Sequence, residues 1–236
     1  MKSALLAIAL LVLSVQPCSA EWFADVYVGS SFTEKDDIKA VSQGAGHTLY
    51  RDVEFDTALA YGMRMGRYFD AVPFLGLGVD YFSFTPNIGP QSVSFDGCPF
   101  EGSCGTGKVG FGSFDLTVRA ISLDVFLRLP LFKSENAPGG RVQPYILGGA
   151  PIFISTLTPR NTRLFRNFDG DTEISFGYKA GAGLAVYVYK NLMVFGEYRF
   201  THTEPDFRIR DSSAARTTLH TELDSHSGLV GISARW

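Results

Sequence analysis

The sequence predicts an all-β protein, an eight-stranded antiparallel up-and-down transmembrane β-barrel. Three observations predict it. Short segments alternate apolar and polar residues with a period of two, their connections alternate between long and short, and the final segment, Gly228–Trp236, ends on an aromatic residue. In that segment Val230, Ile232 and Trp236 share one face, because alternate residues of a strand point to the same side.

The first four strands are expected at about Trp22–Ser31, Phe55–Gly66, Pro73–Phe84 and Phe114–Leu131. In each, one face is apolar and the other carries glycine and single charges. The apolar positions are Ala24, Val26 and Val28, then Leu59, Tyr61, Met63 and Met65, then Leu75, Leu77, Val79 and Tyr81, and finally Ile121, Leu123, Val125, Leu127 and Leu129. In the fourth strand the phase changes near Ala120. This indicates either a β-bulge or a strand that projects beyond the membrane.

The last four strands are expected at about Val142–Ile154, Ile174–Tyr189 and Leu192–Glu204, with a closing strand that ends at Trp236. The strand from Val142 is apolar on both faces, so its orientation stays open. The next two have an apolar face opposed by glycine, lysine, glutamate and arginine. The apolar positions are Tyr178, Ala180, Ala182, Leu184, Val186 and Val188, then Leu192, Val194, Tyr198 and Phe200.

The first twenty residues are expected to be a secretory signal peptide. Lys2 supplies a positive charge, Ala4 to Val15 form an apolar stretch too short for a comfortable membrane span, and Ser19 and Ala20 suit cleavage. We therefore expect residues 1–20 to be removed and residues 21–236 to form one outer-membrane barrel domain. A lipoprotein cysteine at Cys18 is the alternative to cleavage near Ala20.

Charge and cysteine content narrow the class further. Removing Lys2 from the 21 basic residues leaves 20 basic against 24 acidic residues, a net charge of 20 − 24 = −4. A small negative net charge gives no reason to expect nucleic-acid binding. Cys98 and Cys104 remain in the exported chain, and their short separation predicts a disulfide. A metal site is the alternative, although no histidine lies near these cysteines.

The connections indicate which end of the barrel faces outward. Ser31–Glu54, Thr85–Ser113, Ser155–Glu173 and Pro205–Thr217 are long, whereas Arg67–Val72, Phe132–Arg141 and Lys190–Asn191 are shorter. Bacterial barrels have short periplasmic turns and long external loops. The aromatic residues expected at the periplasmic rim are Trp22, Tyr68, Phe69, Phe132, Tyr187, Tyr189 and Trp236. A soluble β-sandwich or lipocalin-type barrel is the structural alternative, but it would place its charges outward.

Three segments carry a resemblance to a known family: Val194–His202, Gln143–Ala150 and Gly228–Trp236. The chain resembles the small eight-stranded outer-membrane barrels of the OmpA, OmpX and opacity-protein type, the broad outer membrane protein beta-barrel domain family. The resemblance covers the whole mature chain and implies a place in the bacterial outer membrane. It also implies that the barrel-assembly machinery reads the last strand, with Trp236 as the assembly signal. Family chains often end on Phe instead.

The polar strand faces predict a lumen filled by paired charges. Eight strands enclose only enough room for side chains, and an unpaired charge there is costly. We expect an ion-pair network that plugs the barrel; a gated narrow pore is the alternative. The nine residues expected in it are Asp25, Arg64, Asp80, Asp124, Arg128, Lys179, Glu197, Arg199 and Arg235.

Catalytic and metal-binding patterns are weak. Barrel lipid A deacylases use a histidine and a serine two residues apart, and no His-x-Ser occurs here. His226 and Ser227 are adjacent, so they point to opposite faces. The final strand alternates possible metal ligands above the membrane, and the end of the seventh adds two more. These candidates for a divalent-cation site in the lipopolysaccharide zone are His202, Glu204, His220, Glu222, Asp224 and His226. A solvated hairpin is the alternative.

The external loops are the expected place of function. Arginine forks suit phosphates and anionic glycans, although nearby aspartates can neutralise them. The loop arginines are Arg160, Arg163, Arg166, Arg208, Arg210 and Arg216, and the aspartates are Asp169, Asp171, Asp206 and Asp211. We expect a structural or adhesive role, with lipid and lipopolysaccharide around the barrel and a host surface or glycan as ligand. A small porin-like channel is the alternative. No cofactor and no enzymatic activity are expected.

Overall fold

The computed structural model describes residues 21–42, 46–100, 103–133, 140–160, 170–210 and 216–236. The predicted signal peptide, residues 1–20, lies outside them. The described part of the chain folds into strands alone, which are β1 Trp22–Thr33, β2 Asp36–Ser42, β3 Gly46–Val53, β4 Ala58–Tyr68, β5 Leu75–Phe84, β6 Gln91–Phe100, β7 Ser103–Phe111, β8 Ser113–Arg128, β9 Val142–Arg160, β10 Asp171–Tyr189, β11 Leu192–Thr203, β12 Asp206–Arg210, β13 Arg216–His220 and β14 Leu223–Arg235. No helix within those residues is long and apolar enough to cross a membrane.

Eight of these strands close into a barrel in the order β1-β14-β11-β10-β9-β8-β5-β4. Every neighbouring pair is antiparallel, so the predicted up-and-down barrel is confirmed. The first and last strands form the seam. Trp22 and Trp236 exchange backbone hydrogen bonds of 2.8 and 3.2 Å at its end.

The strands are staggered around the barrel. From Ala24, neighbour-to-neighbour pairing through β14 reaches Leu192 on β11. The opposite path through β4, β5, β8, β9 and β10 reaches His202, ten positions further along the same strand. Such a stagger accompanies tilted strands, which a closed barrel requires.

Strand β8 shows how the wall meets the membrane. Its pairing with β5 and β9 runs without a register shift, so the phase change near Ala120 is not a bulge. The same alternate positions point inward along its whole length. Inward residues above Ala120 are apolar, as at Leu116 and Val118, whereas those below it are polar except for Phe126, as at Ser122 and Asp124. The strand therefore projects beyond the membrane, where an apolar interior replaces the polar one.

The long connections are not the plain loops that the sequence predicts. Three of them form hairpins that join into a six-stranded sheet in the order β12-β13-β2-β3-β6-β7. We use the name outer tier for this sheet together with the ends of β8, β9 and β10 that project beyond the level of Ala120 on the side of the long connections. Its strand order repeats that of the barrel strands that carry the hairpins, so the outer tier continues the barrel wall. The third long connection, predicted at Ser155–Glu173, is shortened instead, because β9 extends to Arg160 and β10 begins at Asp171.

The outer tier has an apolar core of its own. Side chains from its sheet meet side chains from the projecting barrel strands, as Ile38 and Phe207 meet Phe114 and Leu157. A pocket among them encloses about 20 Å³, which is room for about one water molecule. This pocket is therefore too small for an organic ligand.

The periplasmic aromatic girdle is smaller than predicted. Phe132, Tyr189 and Trp236 are exposed on the outside of the barrel, and Trp22 is half-exposed beside them. Tyr68 instead points into the lumen, where it packs against Phe23 at a ring distance of 5.3 Å. Tyr187 also occupies an inward-facing position, on β10. Phe69, in the turn after β4, is half-exposed.

The lipid-facing band gives a stability prediction. Val125 points outward in the middle of the apolar run of β8, whereas Thr117 points outward above the membrane. We expect Val125→Arg to lower the free energy of unfolding by about 2–4 kcal/mol, because a charge near the bilayer midplane loses its hydration. Thr117→Arg, the matched control, should change it by less than about 1 kcal/mol. Equilibrium unfolding in lipid vesicles measures both, and equal losses would contradict this membrane boundary.

Candidate functional site

The structure places all nine residues of the predicted ion-pair network inside the barrel, each at most 6% exposed. They point inward because each occupies the phase of its strand opposite to the lipid-facing apolar residues. The network spans seven of the eight barrel strands, all except β9.

Arg64 and Glu197 form the centre of the network. The Arg64 guanidinium donates from Nε to Asp25 Oδ2 at 2.5 Å and from Nη1 to Glu197 Oε2 at 2.6 Å. The other carboxylate oxygen of Glu197 accepts from Arg199 Nη2 at 2.7 Å. One carboxylate thus bridges two arginines, and each arginine is held by more than one acceptor.

Lys179 forms the second half of the same network. Its ammonium group donates to Asp80 at 2.6 Å, to Asp124 at 2.7 Å and to Ser122 at 2.7 Å. Arg199 reaches Asp80 at 3.2 Å and so connects the two halves. Three bases and four acids form one continuous set of contacts across the lumen.

Two tyrosines that the sequence analysis did not assign to the network complete it. Tyr27 donates to Asp80 at 2.6 Å and accepts from Arg199 at 2.9 Å. Tyr145 donates to Glu197 at 2.7 Å and accepts from Arg64 at 3.2 Å. Each phenol satisfies a carboxylate and a guanidinium together, so burial of those charges costs less.

Glycines make room for both phenol rings. A Cβ atom on Gly62 would lie 2.5 Å from the Tyr27 hydroxyl, and one on Gly183 would lie 2.5 Å from that of Tyr145. Both glycines occupy inward positions of their strands. A glycine at an inward position was therefore the available sequence signal for a large side chain directly opposite it on the neighbouring strand.

Arg128 and Arg235 form a separate group at the periplasmic end. Arg128 pairs with Glu21 at 2.6 Å, and Arg235 lies 3.8 Å from the same carboxylate. Glu21 lies just before the first predicted strand and is absent from the predicted network. With Glu21 the described lumen holds five acids and five bases, in place of the predicted four and five.

The six candidate metal ligands do not converge. The predicted continuous strand through His220 and His226 is wrong, because β13 ends at His220 and β14 begins at Leu223. His220 then lies opposite Asp206, and His202 lies opposite Asp224, so the two histidines are in different strand pairs. The break at Thr221 moves His220 into the sheet of the outer tier.

Each of the three histidines instead has its own carboxylate. His220 contacts Asp206 at 2.6 Å, His202 contacts Asp224 at 2.6 Å and Glu204 at 3.3 Å, and His226 contacts Glu34 at 2.8 Å. Glu222 is exposed, and its backbone N–H donates to Asp36. Among the residues that the structure describes, no group of three or more acidic, histidine or cysteine side chains could hold a metal ion.

The described loop arginines stand beside acids. Arg160 pairs with Asp115 at 2.6 Å, and the backbone N–H of Arg208 donates to Asp171 at 2.6 Å. The Arg160 guanidinium is therefore opposed by a carboxylate, whereas Arg208 has one only at its backbone. Its other members lie outside the described residues or side chains: Arg163, Arg166, Asp169, Arg210, Asp211 and Arg216.

The predicted disulfide is confirmed. Cys98 on β6 and Cys104 on β7 are joined at the tip of their hairpin, six positions apart in the sequence. The bridge links the two strands of this hairpin within the outer tier.

The network gives a second stability prediction. Arg64→Met should lower the free energy of unfolding by about 3–5 kcal/mol, because Asp25 and Glu197 keep buried charges without that partner. Adding Glu197→Gln should restore part of the loss, because it removes one of the two stranded charges. Arg119→Met, on the exposed outward face of β8, is the control and should change stability by about 0.5 kcal/mol or less. A loss no larger than that of the control would show that the network does not stabilise the barrel.

Comparisons with known proteins agree with this architecture. No protein family matches the sequence, and no curated protein shows significant similarity to it. The outer membrane protein OprG from Pseudomonas aeruginosa superposes with a TM-score of 0.59 at 14% identity, over 94% of this chain and 99% of that one. The outer membrane protease OmpT from Escherichia coli superposes with a TM-score of 0.51 at 10% identity, over 94% and 99%. The chain therefore has the fold of the transmembrane barrels of the bacterial outer membrane.

Proposed function

We propose that the protein is a structural outer-membrane barrel whose outer tier recognises molecules outside the cell. The outer tier carries this proposal, because it is a six-stranded sheet with a packed apolar core above a lumen filled by paired charges. A platform of this kind presents a fixed surface, whereas simple loops would have to be ordered on binding at an entropic cost. The disulfide-closed tip between β6 and β7 adds a further rigid feature to that surface.

The partners that we propose for the barrel follow from its apolar band, its outer tier and its last residue. Its apolar band contacts membrane lipid, and the tier above it stands at the level of lipopolysaccharide. A host surface or glycan is the ligand class that suits an exposed, polar and rigid sheet. The exposed Trp236 at the end of β14 is the residue that the barrel-assembly machinery would read. Signal-peptide cleavage near Ala20 belongs to the same proposal.

A role without catalysis is part of the proposal. Two serines flank the rim histidine His226 in β14, and both point into the lumen: Ser225 is hydrogen-bonded to Thr33 at 2.8 Å, and Ser227 donates to Ser31 at 3.0 Å. His226 points outward to Glu34 and Tyr198. The serines and the histidine are on opposite sides of the wall, so they cannot act as nucleophile and base together.

Transport is the second candidate, and one observation favours it. At the β1–β14 seam, buried polar atoms of Asp25, Ser233 and Arg235 have no hydrogen-bond partner among the described residues. Asp25 and Ser233 are direct cross-strand neighbours, so these atoms lie close together. Water or a small ion would enter at such a site if the charged side chains of the network changed their ion-pair partners.

Electrical recording separates the two candidates. In planar bilayers we expect the refolded barrel to show no steady conductance, because paired charges close the lumen and the apolar core closes the outer tier. Arg199→Gln should not open it, because aromatic side chains still fill the cross-section. Steady channels in the wild type that change in unit conductance with Arg199→Gln would overturn the plug in favour of a pore.

Binding by whole cells tests recognition. Replacing residues 36–53, 91–111 and 206–220 by short turns removes the sheet of the outer tier and keeps all eight barrel strands. We expect this variant to reach the outer membrane and to lose binding to host-cell surfaces and glycan arrays that the wild type binds. The control is Arg119→Met, on the exposed outward face of β8, which leaves both the lumen and the sheet of the outer tier intact. Equal binding by the trimmed variant, or none by the wild type, would contradict recognition by the outer tier.

A further inference from the structure

Several exposed cations at the outer end of the barrel pair with carboxylates, although Lys39 and Lys108 have no such ion pair among the described residues. At the outer end Lys35 pairs with Glu54 at 2.5 Å, Arg51 with Asp96 at 3.8 Å and Arg160 with Asp115 at 2.6 Å. At the end with short turns, no described carboxylate lies within 4 Å of the cations outside the lumen. These cations, which we call the inner rim, are Arg67, Lys133, Arg141 and Lys190.

The inner rim lies at one depth. Arg67 is the second-last residue of β4. Lys133 and Arg141 flank the connection between β8 and β9, and Lys190 is in the two-residue turn between β10 and β11. All four are therefore within a few residues of a strand end on the same side of the barrel. Lys133, Arg141 and Lys190 are exposed, and Arg67 is half-buried.

Two carboxylates lie at this end among the described residues, and neither pairs with the inner rim. Glu21 turns into the lumen to bind Arg128 and Arg235, and Asp70 is exposed after β4. Like charges arranged in a ring repel one another unless a counter-charge is present. The arrangement favours an anion that the surroundings supply.

Aromatic residues hold three of these cations at the membrane interface. The Arg67 guanidinium lies 5.6 Å from the ring centre of Trp22, its cross-strand neighbour. Lys133 directly follows Phe132, and Lys190 directly follows Tyr189, and both of these aromatic side chains are largely exposed. Aromatic side chains settle at the headgroup level of a bilayer, so they place the cations at the depth of lipid phosphates.

We propose that the inner rim binds the headgroups of anionic phospholipids in the periplasmic leaflet. The cations match a headgroup whose phosphate charge is not cancelled by an amine, and the Arg67 fork can meet phosphate oxygens through two hydrogen bonds. A zwitterionic headgroup carries its own cation and gains less from the same ring. The barrel would thus collect anionic lipid around its periplasmic end.

The chain provides its own probe of this contact. It contains two tryptophans, Trp22 and Trp236, and both lie at the inner rim. Lipids brominated on their acyl chains quench nearby tryptophan, so fluorescence reports the lipid composition at this rim alone. The barrel is refolded into vesicles that mix phosphatidylglycerol and phosphatidylcholine, with the bromine on one lipid or the other. The ratio of quenching gives the relative binding constant of the two headgroups.

We expect phosphatidylglycerol to bind at least about fivefold more strongly than phosphatidylcholine at low salt. The preference should fall as salt is raised, because screening weakens exposed charge interactions. The variant R67Q/K133Q/R141Q/K190Q should bring the ratio to within about twofold of one. The variant K35Q/K39Q/R51Q/K108Q removes the same number of exposed cations from the outer tier and should keep the wild-type ratio.

Three results would overturn the proposal. They are a ratio near one in the wild type, a preference unchanged by salt, and an equal loss in the outer-tier variant, which would assign the effect to net charge. Heat-modifiable migration in gels verifies that each variant has folded. The salt titration of the wild type decides the question even if the inner-rim variant does not fold.

Discussion

The pairing of charges inside the barrel is the constraint on which the rest of the structure depends. The lumen of an eight-stranded barrel is too narrow for a water column, so each buried charge needs a protein partner. The central network joins β1, β4, β5, β8, β10 and β11 through side chains, and Tyr145 adds β9. A one-residue slip of any of these strands would turn its charge toward lipid. The network and the register therefore stabilise each other.

The chain has two interiors of opposite character. Within the membrane the outside is apolar and the inside is charged, whereas in the outer tier the inside is apolar and the outside is polar. Strand β8 passes from one to the other at Ala120 without changing its geometry. Since lipid surrounds one part and water the other, the same inward positions need different side chains. The chemistry of the surroundings, and not a backbone irregularity, sets the change of pattern.

The sequence predicted the barrel and its lumen because both follow from a period of two, which is a local property. Tyr145 was missed because β9 is apolar on both faces, and Glu21 because it precedes the strand pattern. The outer tier was missed because its strands pair across long separations, as Thr217 does with Ser42. The predicted alignment of His220 with His226 failed because β13 and β14 are separate strands in different sheets. Such non-local pairing leaves no trace in short-range alternation.

The disulfide at the tip of the β6–β7 hairpin has a consequence for export. Disulfides form in the oxidising periplasm, so the tip is already closed when this hairpin crosses the membrane. Cys98 and Cys104 lie directly across the hairpin and enclose five residues. A disulfide between distant hairpins would force several linked strands to cross the membrane together. The Cys98–Cys104 bridge lies within one hairpin and does not widen it, so the bridge can form before the hairpin crosses without hindering that step.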